Sequence, residues 1–351
     1  MLELDGSHGE GGGQILRTAL AAAVTTTTAF RIVRVRAGRR RPGLLPQHLA
    51  AVRAAVAISD AEVDGATPGS QQLTFVPRAL HPGHHHVEIG TAGSACLVAQ
   101  LALTALRHAH SPSTVTVVGG THNPHAPPAD FLQRTFLPLI ERTGGRCQLR
   151  LERHGFQPAG GGRLTLRVEP TTRPAPLTLV DDAPPRPGRA RALISQLPRH
   201  VAERELRTVA AELAWPTELL SIEEVEADGP GNVLLLEIER PELTEVLTAF
   251  GRPGVPAERV ARQAVTQARH RLRSPVPVGP EVADQLLAPL ALTAGGTFRT
   301  IAPTTHFTTN AHTLRSFMGS CVDWTVQPDE SRLVTVTAAT ATSGRTALTA
   351  R

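Results

Sequence analysis

Two pairs of landmarks in this chain stand the same distance apart. Gly12 lies 82 residues before Ser94, and Pro46 lies 82 residues before Pro128. Equal offsets at two places mark an internal repeat, which restricts the possible folds more than any single segment does. The first copy reads as a short strand at residues 2–4, glycines at 11–13 leading into a helix over 14–24, and a strand over 30–36. An arginine-rich loop follows, then a helix over 46–58 with Pro46 in its first turn, and a closing strand at 72–76. The second copy keeps that order: helix 93–106, β-branched strand 113–118, the polar loop GGTHNPHAPP, helix 129–141. Paired strands at 146–151 and 164–168 then enclose a glycine-rich turn.

A third copy arrives late. Its helix starts near residue 282, with Leu286, Leu287, Leu290, Ala291 and Leu292 as buried positions, and Gly295 and Gly296 stop it. A strand over 297–301 is ended by Pro303, and a polar loop carries His306 into a helix over 307–318 and a strand at 333–337. A different pattern is interposed after a proline- and arginine-rich link at 181–191: helix 200–214, strands 219–225 and 233–238, helix 257–271. The expected class is α/β (α+β), three strand–helix repeats with a smaller α/β domain splitting the third. The large domain would take residues 1–183 and 275–351, and the insert 184–274.

The length of 351 residues exceeds one typical domain and suits that division. No stretch approaches the ~18 apolar residues that span a bilayer. Acidic residues and glycines follow Met1 at once, unlike a signal peptide. Cys96, Cys147 and Cys321 are widely spaced and form no metal-type pair, so they read as reduced thiols of a cytoplasmic protein. Lysine is absent; all 36 basic residues are arginine. That excludes a P-loop lysine, a Schiff base and a lysyl–nucleotidyl intermediate, so any covalent step needs another nucleophile. The net charge of +5 is a small excess, but arginine forks match phosphate oxygens well. With no tyrosine and few aromatics, stacking on single-stranded bases is limited.

GEGGGQ at Gly9 to Gln14 lets backbone amides close on an anion at a helix start, or is a glycine-rich turn without a ligand. Glu10 supplies a carboxylate there, suited to Mg²⁺ bridging to phosphate oxygens. Arg17 lies one turn after Gln14 on the same helix face. Arg36, Arg39, Arg40 and Arg41 crowd the first copy's loop, a solvated basic loop unless an anion sits among them; the loop is equivalent to the one carrying His306. HPGHHH at His81 to His86, and His122 with His125, suggest metal ligands by type, but no partner cluster accompanies them. HGFQPAGGGRL, from His154 to Leu164, is the most distinctive string and by itself signals a tight backbone.

Together with LDGSHGEGGGQILR, RAGRRRPGLLPQHL, GSACLVAQ, GGTHNPHAPPADF, LPRHVAEREL, GPGN, ADQLLAPLAL and PTTHFTTN, that string resembles the RNA 3′-terminal phosphate cyclase family, nearly end to end and in the family's order. The resemblance implies three βαβαββ-type repeats with a smaller inserted domain, and a reaction. A histidine attacks the α-phosphate of ATP to give histidyl–AMP; AMP passes to an RNA 3′-phosphate as RNA-(3′)pp(5′)A; the 2′-OH displaces AMP and leaves a 2′,3′-cyclic phosphate. It further implies His306 as the nucleophile and Glu10 as the carboxylate for Mg²⁺ or Mn²⁺ beside ATP. Arg17, Arg36, Arg39 and Gln47 would engage phosphates of ATP or of the RNA end, and Gln100, Pro127, Asp284 and Gln285 the nucleotide. Many relatives place tyrosine three residues before that aspartate; this chain has Glu281. The partners implied are ATP and RNA with a 3′-phosphate end, with no membrane and no stated oligomeric state. A second reading is a non-catalytic cyclase-like RNA-binding protein of ribosome assembly, which would lack His306. A third is an enolpyruvyl transferase, whose members depend on a lysine this chain does not have.

Overall fold

The computed structural model describes residues 1–181 and 183–338. Asp182 of the expected link and residues 339–351 of the expected second half of the large domain lie outside the described residues. The first unit comprises β1 (Leu2–Asp5), α1 (Gly13–Thr26), β2 (Phe30–Val33), α2 (Pro46–Ser59), β3 (Glu62–Asp64) and β4 (Leu73–Val76). β1 pairs parallel with β2, β2 antiparallel with β4, and β4 antiparallel with β3. The second unit has β5 (His84–Glu88), α3 (Ala95–Leu106) and β6 (Ser113–Gly119). Next come α4 (Ala129–Phe131), a π-helical turn Leu132–Phe136 and α5 (Leu137–Arg142), then β7 (Cys147–Arg153) and β8 (Gly162–Val168). The wide turn lies just before Pro138, which has no N–H to give the preceding turn. Its sheet has the same order and pairing senses: β5 parallel to β6, β6 antiparallel to β8, β8 antiparallel to β7.

The third sheet opens with β9 (Leu177–Leu179), after which the chain departs into another sheet: β10 (Arg186–Ser195), α6 (His200–Leu213), β11 (Leu220–Glu224), β12 (Gly231–Arg240), β13 (Leu243–Phe250) and α7 (Ala257–Arg273). It returns through α8 (Pro280–Leu292), β14 (Gly296–Thr300), α9 (Thr305–Met318), β15 (Val322–Val326) and β16 (Arg332–Val336). β9 is parallel to β14, β14 antiparallel to β16, and β16 antiparallel to β15, the same topology a third time.

The core follows from residue size. α1 carries the run ALAAAV, buried from Ala19 through Val24, and these small side chains let it contact α2, α3, α8 and α9. β6 alternates as a half-covered strand should, with Val115 and Val117 fully buried. β12 is buried along nearly its whole length because both faces are covered. Leu234, Leu236 and Ile238 pack with Ala202, Val209 and Ala264 beneath α6 and α7, while Val233 and Leu235 join the main core.

Several sequence expectations need correction. The stretch 181–191 is largely strand, not a link. Pro187 and Gly188 suggested a break, but the register shifts between Pro187 and Ala190, and β11 begins pairing only at Ala190, so Pro187 faces no ladder on that side. The expectation also lacked β3, β5, β9, β13 and β15; β9 gains its pairing from β14, more than a hundred residues away, while β3, β13 and β15 pair with the next or preceding strand. HPGHHH runs into edge strand β5. Most consequentially, His306 is not in a loop: α9 begins at Thr305.

The inserted sheet is pinned to α8 by a buried ion pair. Arg271 Nε donates to Glu245 Oε2 at 2.5 Å, and its Nη2 donates to the carbonyls of Val276 and Pro277 at 3.3 and 3.2 Å. Glu245 Oε1 accepts from Gly279 N–H at 2.6 Å, one residue before α8 begins. Glu245→Ala strands a buried guanidinium, and a loss of about 3–5 kcal/mol is expected in chemical denaturation. A loss below about 1 kcal/mol would show that this joint does not hold the return into α8.

Candidate active site

The site begins where the glycine run meets α9. Gly9 has φ +56°, and a Cβ there would lie 2.2 Å from Thr309 Oγ1, so only glycine lets the loop touch that helix. Thr309 Oγ1 also accepts from Glu10 N–H at 2.9 Å. On the other side, a Cβ on Gly13 would lie 2.3 Å from His48 Nε2. The run is thus clamped between α9 and α2, with α1 starting at its end.

His306 occupies the first turn of α9, whose N-cap Thr304 accepts from Phe307 N–H through Oγ1 at 3.0 Å. The imidazole is exposed, and its Nδ1 lies 3.0 Å from Gln14 Oε1. An amide oxygen only accepts, so Nδ1 carries the proton and Nε2 keeps its lone pair. Desolvation, then the charges of Arg39 and Arg17, push its pKa below the ordinary histidine value. The ring is therefore neutral, with a free nitrogen beside cations.

Those cations are held by specific contacts. Arg39 pairs with the Glu10 carboxylate and donates to the Glu10 carbonyl at 2.9 Å. Arg36 donates to the Gly43 carbonyl at 2.9 Å. Arg17 is half-buried, and desolvation lowers its pKa to about 10 against the pull of Asp284. Gln47, further round, accepts from Ser94 N–H at 3.3 Å and so joins the first unit to the start of α3. His48 is buried; burial, then Arg17 and Arg36, drive it down to about 3, and its Nδ1 accepts from Leu45 N–H at 3.0 Å. It is a second neutral imidazole among arginines, with Nε2–H toward the glycine run. For a divalent ion the fit is partial but sound. Glu10 Oε2 is buried without a partner, while no group of three potential ligands occurs among the described residues. That suits an ion held by one carboxylate and by substrate phosphates.

Behind the arginines lies a cleft between α1, α3 and α8, lined by Gln14, Arg17, Gln100, Asp284, Gln285 and Asn310. Gln100 Nε2 donates to Gln285 Oε1 at 3.0 Å, and Gln285 Nε2 to Asp284 Oδ1 at 2.6 Å. These contacts leave about 60 Å³, room for about two waters, so a nucleoside entering here displaces the glutamines. Pro127 does not line this cleft, nor does Glu281, which is exposed. Sequence reasoning therefore brought together Gln100, Asp284 and Gln285 at the cleft, with Arg17 between it and the glycine run, and Glu10, Arg39 and His306 at that run. It missed the roles of Gln14, His48, Thr309 and Asn310, though all four lie inside the strings quoted for the resemblance. The cysteines are all buried with thiols pushed up, Cys147 to about 12, and none is poised as a nucleophile.

Asp284 gives the cleft a pH signature. Burial raises its carboxyl from 3.8 to about 7, with Gln285 and Arg17 opposing. A raised carboxyl pKa means that the folded state binds the proton more tightly. Its contribution to stability is complete below about pH 4 and is lost as pH rises through about 7. The stability difference between wild type and Asp284→Asn, from urea unfolding at stepped pH, should fall across that window and be level outside it. A level difference throughout would refute the shift.

The family model described as RNA 3′-terminal phosphate cyclase matches residues 8–323. A protein of Ectopseudomonas mendocina named RNA 3′-terminal phosphate cyclase is 49% identical over 318 residues, covering 90% of this chain and 92% of its own. Proteins of the same name from Koribacter versatilis and Ralstonia nicotianae are 47% and 46% identical, covering 91% and 90% of this chain and 90% and 91% of their own. A match of that extent means that this chain belongs to the RNA 3′-terminal phosphate cyclase family.

Proposed function

We propose that this protein converts an RNA 3′-terminal phosphate to a 2′,3′-cyclic phosphate at the expense of ATP, with His306 as the covalent nucleophile. The relatives' shared name supports the overall reaction. The observation that carries the histidine's role is the Gln14 hydrogen bond, which leaves Nε2 unprotonated at the α9 N-terminus. The absence of lysine leaves few other nitrogen nucleophiles.

In the first step Nε2 of His306 forms a bond to the α-phosphorus of ATP as the bond to the bridging oxygen breaks and pyrophosphate departs. The phosphorane charge meets Arg17, Arg39 and the N–H groups that open α9. In the second step an oxygen of the RNA 3′-phosphate takes the AMP from His306 and frees the imidazole. In the third the neighbouring 2′-oxygen attacks the RNA phosphorus, AMP leaves, and the hydroxyl proton passes to solvent or a base. Adenylation supplies what an unmodified phosphate lacks, a good leaving group. Arg36 and Gln47 are assigned to the RNA phosphate. Glu10 would hold Mg²⁺ or Mn²⁺, whose chemistry there is neutralisation of phosphate charge. Gln100, Asp284 and Gln285 would receive the nucleoside once the glutamines swing aside, and Pro127 would approach it from the β6–α4 loop.

Incubation with α-labelled ATP and either metal should yield an acid-labile, alkali-stable protein adduct, absent in His306→Ala and discharged by 3′-phosphate RNA. A folded protein that takes no label with any metal would sink the mechanism and leave the RNA-binding reading in front. Gln14→Leu removes one hydrogen bond to the nucleophile, worth about 1–1.5 kcal/mol, so labelling should slow about tenfold with little change in ATP affinity. An unchanged rate would mean that the imidazole needs no such partner.

A further inference from the structure

A second, larger cavity of about 660 Å³ lies where the second unit meets the inserted sheet. Four of the strings that carry the family resemblance converge on it. GGTHNPHAPPADF contributes His122 and His125, HGFQPAGGGRL contributes Phe156, LPRHVAEREL contributes Glu205, and GPGN contributes Asn232. The reaction as derived above uses none of these residues.

The walls are mainly apolar, but one carries a buried acid–amide pair. Asn232 Nδ2 donates to Glu205 Oε2 at 3.0 Å. Glu205 is 0% and Asn232 7% exposed, yet Glu205 Oε1 and Asn232 Oδ1 have no hydrogen-bond partner. Burial pushes the Glu205 carboxyl up to about 7, against the Asn232 hydrogen bond. Two oxygens without a protein donor, on residues that line the cavity, are free to accept from whatever occupies it. Phe156 forms an aromatic wall, with its ring 5.4 Å from that of His122. Arg252 stands exposed at the rim. The size is that of a small-molecule site rather than a water pocket.

Its position ties it to the phosphate-binding side. Gln47 accepts from Ser94 N–H, and two residues earlier the Ala92 carbonyl accepts at 2.7 Å from Nδ2 of Asn123, which lies between His122 and Pro124 of the cavity wall. The β6–α4 loop that forms this wall is the second unit's counterpart of the loop bearing Arg36 and Arg39.

We propose that this cavity receives a nucleotide base, its hydrogen-bonding edge against Glu205 and Asn232, its ring against Phe156 and its phosphate toward Arg252. Ionised Glu205 beside the Asn232 oxygen presents two acceptors, matching neighbouring N–H groups such as those on the guanine edge. Protonated Glu205 presents a donor and an acceptor, matching adenine or cytosine. The base belongs either to the RNA strand, in which case the inference rests on the cyclase reading, or to a free nucleotide.

Two variants of the full-length protein test this. Val201→Trp fills the cavity from a half-buried position on α6, and Glu205→Gln changes only the acid; a thermal melt checks each for folding. Cyclisation KM is measured with 3′-phosphate RNAs differing by one base near the end. Binding of GMP, AMP, CMP and UMP is followed by saturation-transfer NMR with a non-hydrolysable ATP analogue filling the other site. An RNA base as occupant predicts a base-dependent KM, raised about tenfold and flattened in Val201→Trp, with ATP labelling of His306 unchanged. A free nucleotide predicts saturable binding that is lost in Val201→Trp while RNA KM stays constant. If both variants leave RNA KM and nucleotide binding within about twofold of wild type, the cavity holds only water and the proposal falls. Failure of the cyclase reading would show separately as no labelling of wild type, and the nucleotide titration does not depend on it.

Discussion

The seam between α1 and α9 is the contact on which the candidate site depends. Thr18 Oγ1 donates to Asn310 Oδ1 at 2.7 Å, His306 Nδ1 meets Gln14 Oε1 at 3.0 Å, and Glu10 N–H reaches Thr309 Oγ1 at 2.9 Å. These partners are 292, 292 and 299 residues apart in sequence. Closing so long a loop costs little more entropy than closing a moderate one, because the cost grows only with the logarithm of length. The insert can therefore interrupt the third unit without weakening the seam. Asn310 extends it, since its Nδ2 donates to the Asp284 carbonyl at 2.8 Å. One residue of α9 thus fixes α8, and with it the cleft, relative to the helix that carries His306.

The same crowding of arginines serves two ends. Guanidinium groups hold phosphate, and they also keep nearby imidazoles from protonating. His306 and His48 are both lowered by burial first and by arginines second. Under the proposed mechanism the nucleophilic histidine needs its lone pair at neutral pH, and an arginine cluster would protect that lone pair while drawing in an anion. Glu10 balances part of the charge through Arg39 yet keeps one oxygen unpartnered. Arginine, unlike lysine, stays charged under the desolvation such a cluster entails, as Arg17 illustrates at about 10.

Much of this was legible in the sequence, for identifiable reasons. The equal offsets of Gly12–Ser94 and Pro46–Pro128 foreshadowed helices α1 and α3, which begin at Gly13 and Ala95, because helix starts depend on local glycine and proline chemistry. The short strands β3, β9 and β15 are not legible, since three to five residues carry too little periodicity and take strand geometry from the neighbour they pair with, which for β9 lies more than a hundred residues away. β10 was hidden by Pro187 and Gly188, whose tolerance depends on which neighbour pairs where. The His306 segment is legible, but the helix expected from 307 begins two residues earlier, because Thr304 acts as its N-cap. Gln14 carries no signal of its role until α9 is folded beside it. Pairwise contacts between distant units are what a single sequence conceals.

The second cavity is held by the buried charges that dock the insert. Asp130 Oδ2 accepts from His122 Nε2 at 2.8 Å, its other oxygen pairs with Arg191 of β10, and Arg191 also reaches Glu237 of β12 at 3.7 Å. Burial would raise the Asp130 carboxyl, but His122 and Arg191 together hold it well below the usual range. The network joins the His122 wall of the cavity to the sheet that supplies Asn232. Paired charges so deeply buried add little net stability over apolar packing, and their effect is to fix one geometry. A fixed wall is what a ligand site in this cavity would need, in place of a gap left by two loosely docked units. The docking network thus fixes one wall of the cavity, and the oxygens of Glu205 and Asn232 that lack a protein donor lie among the residues that line it.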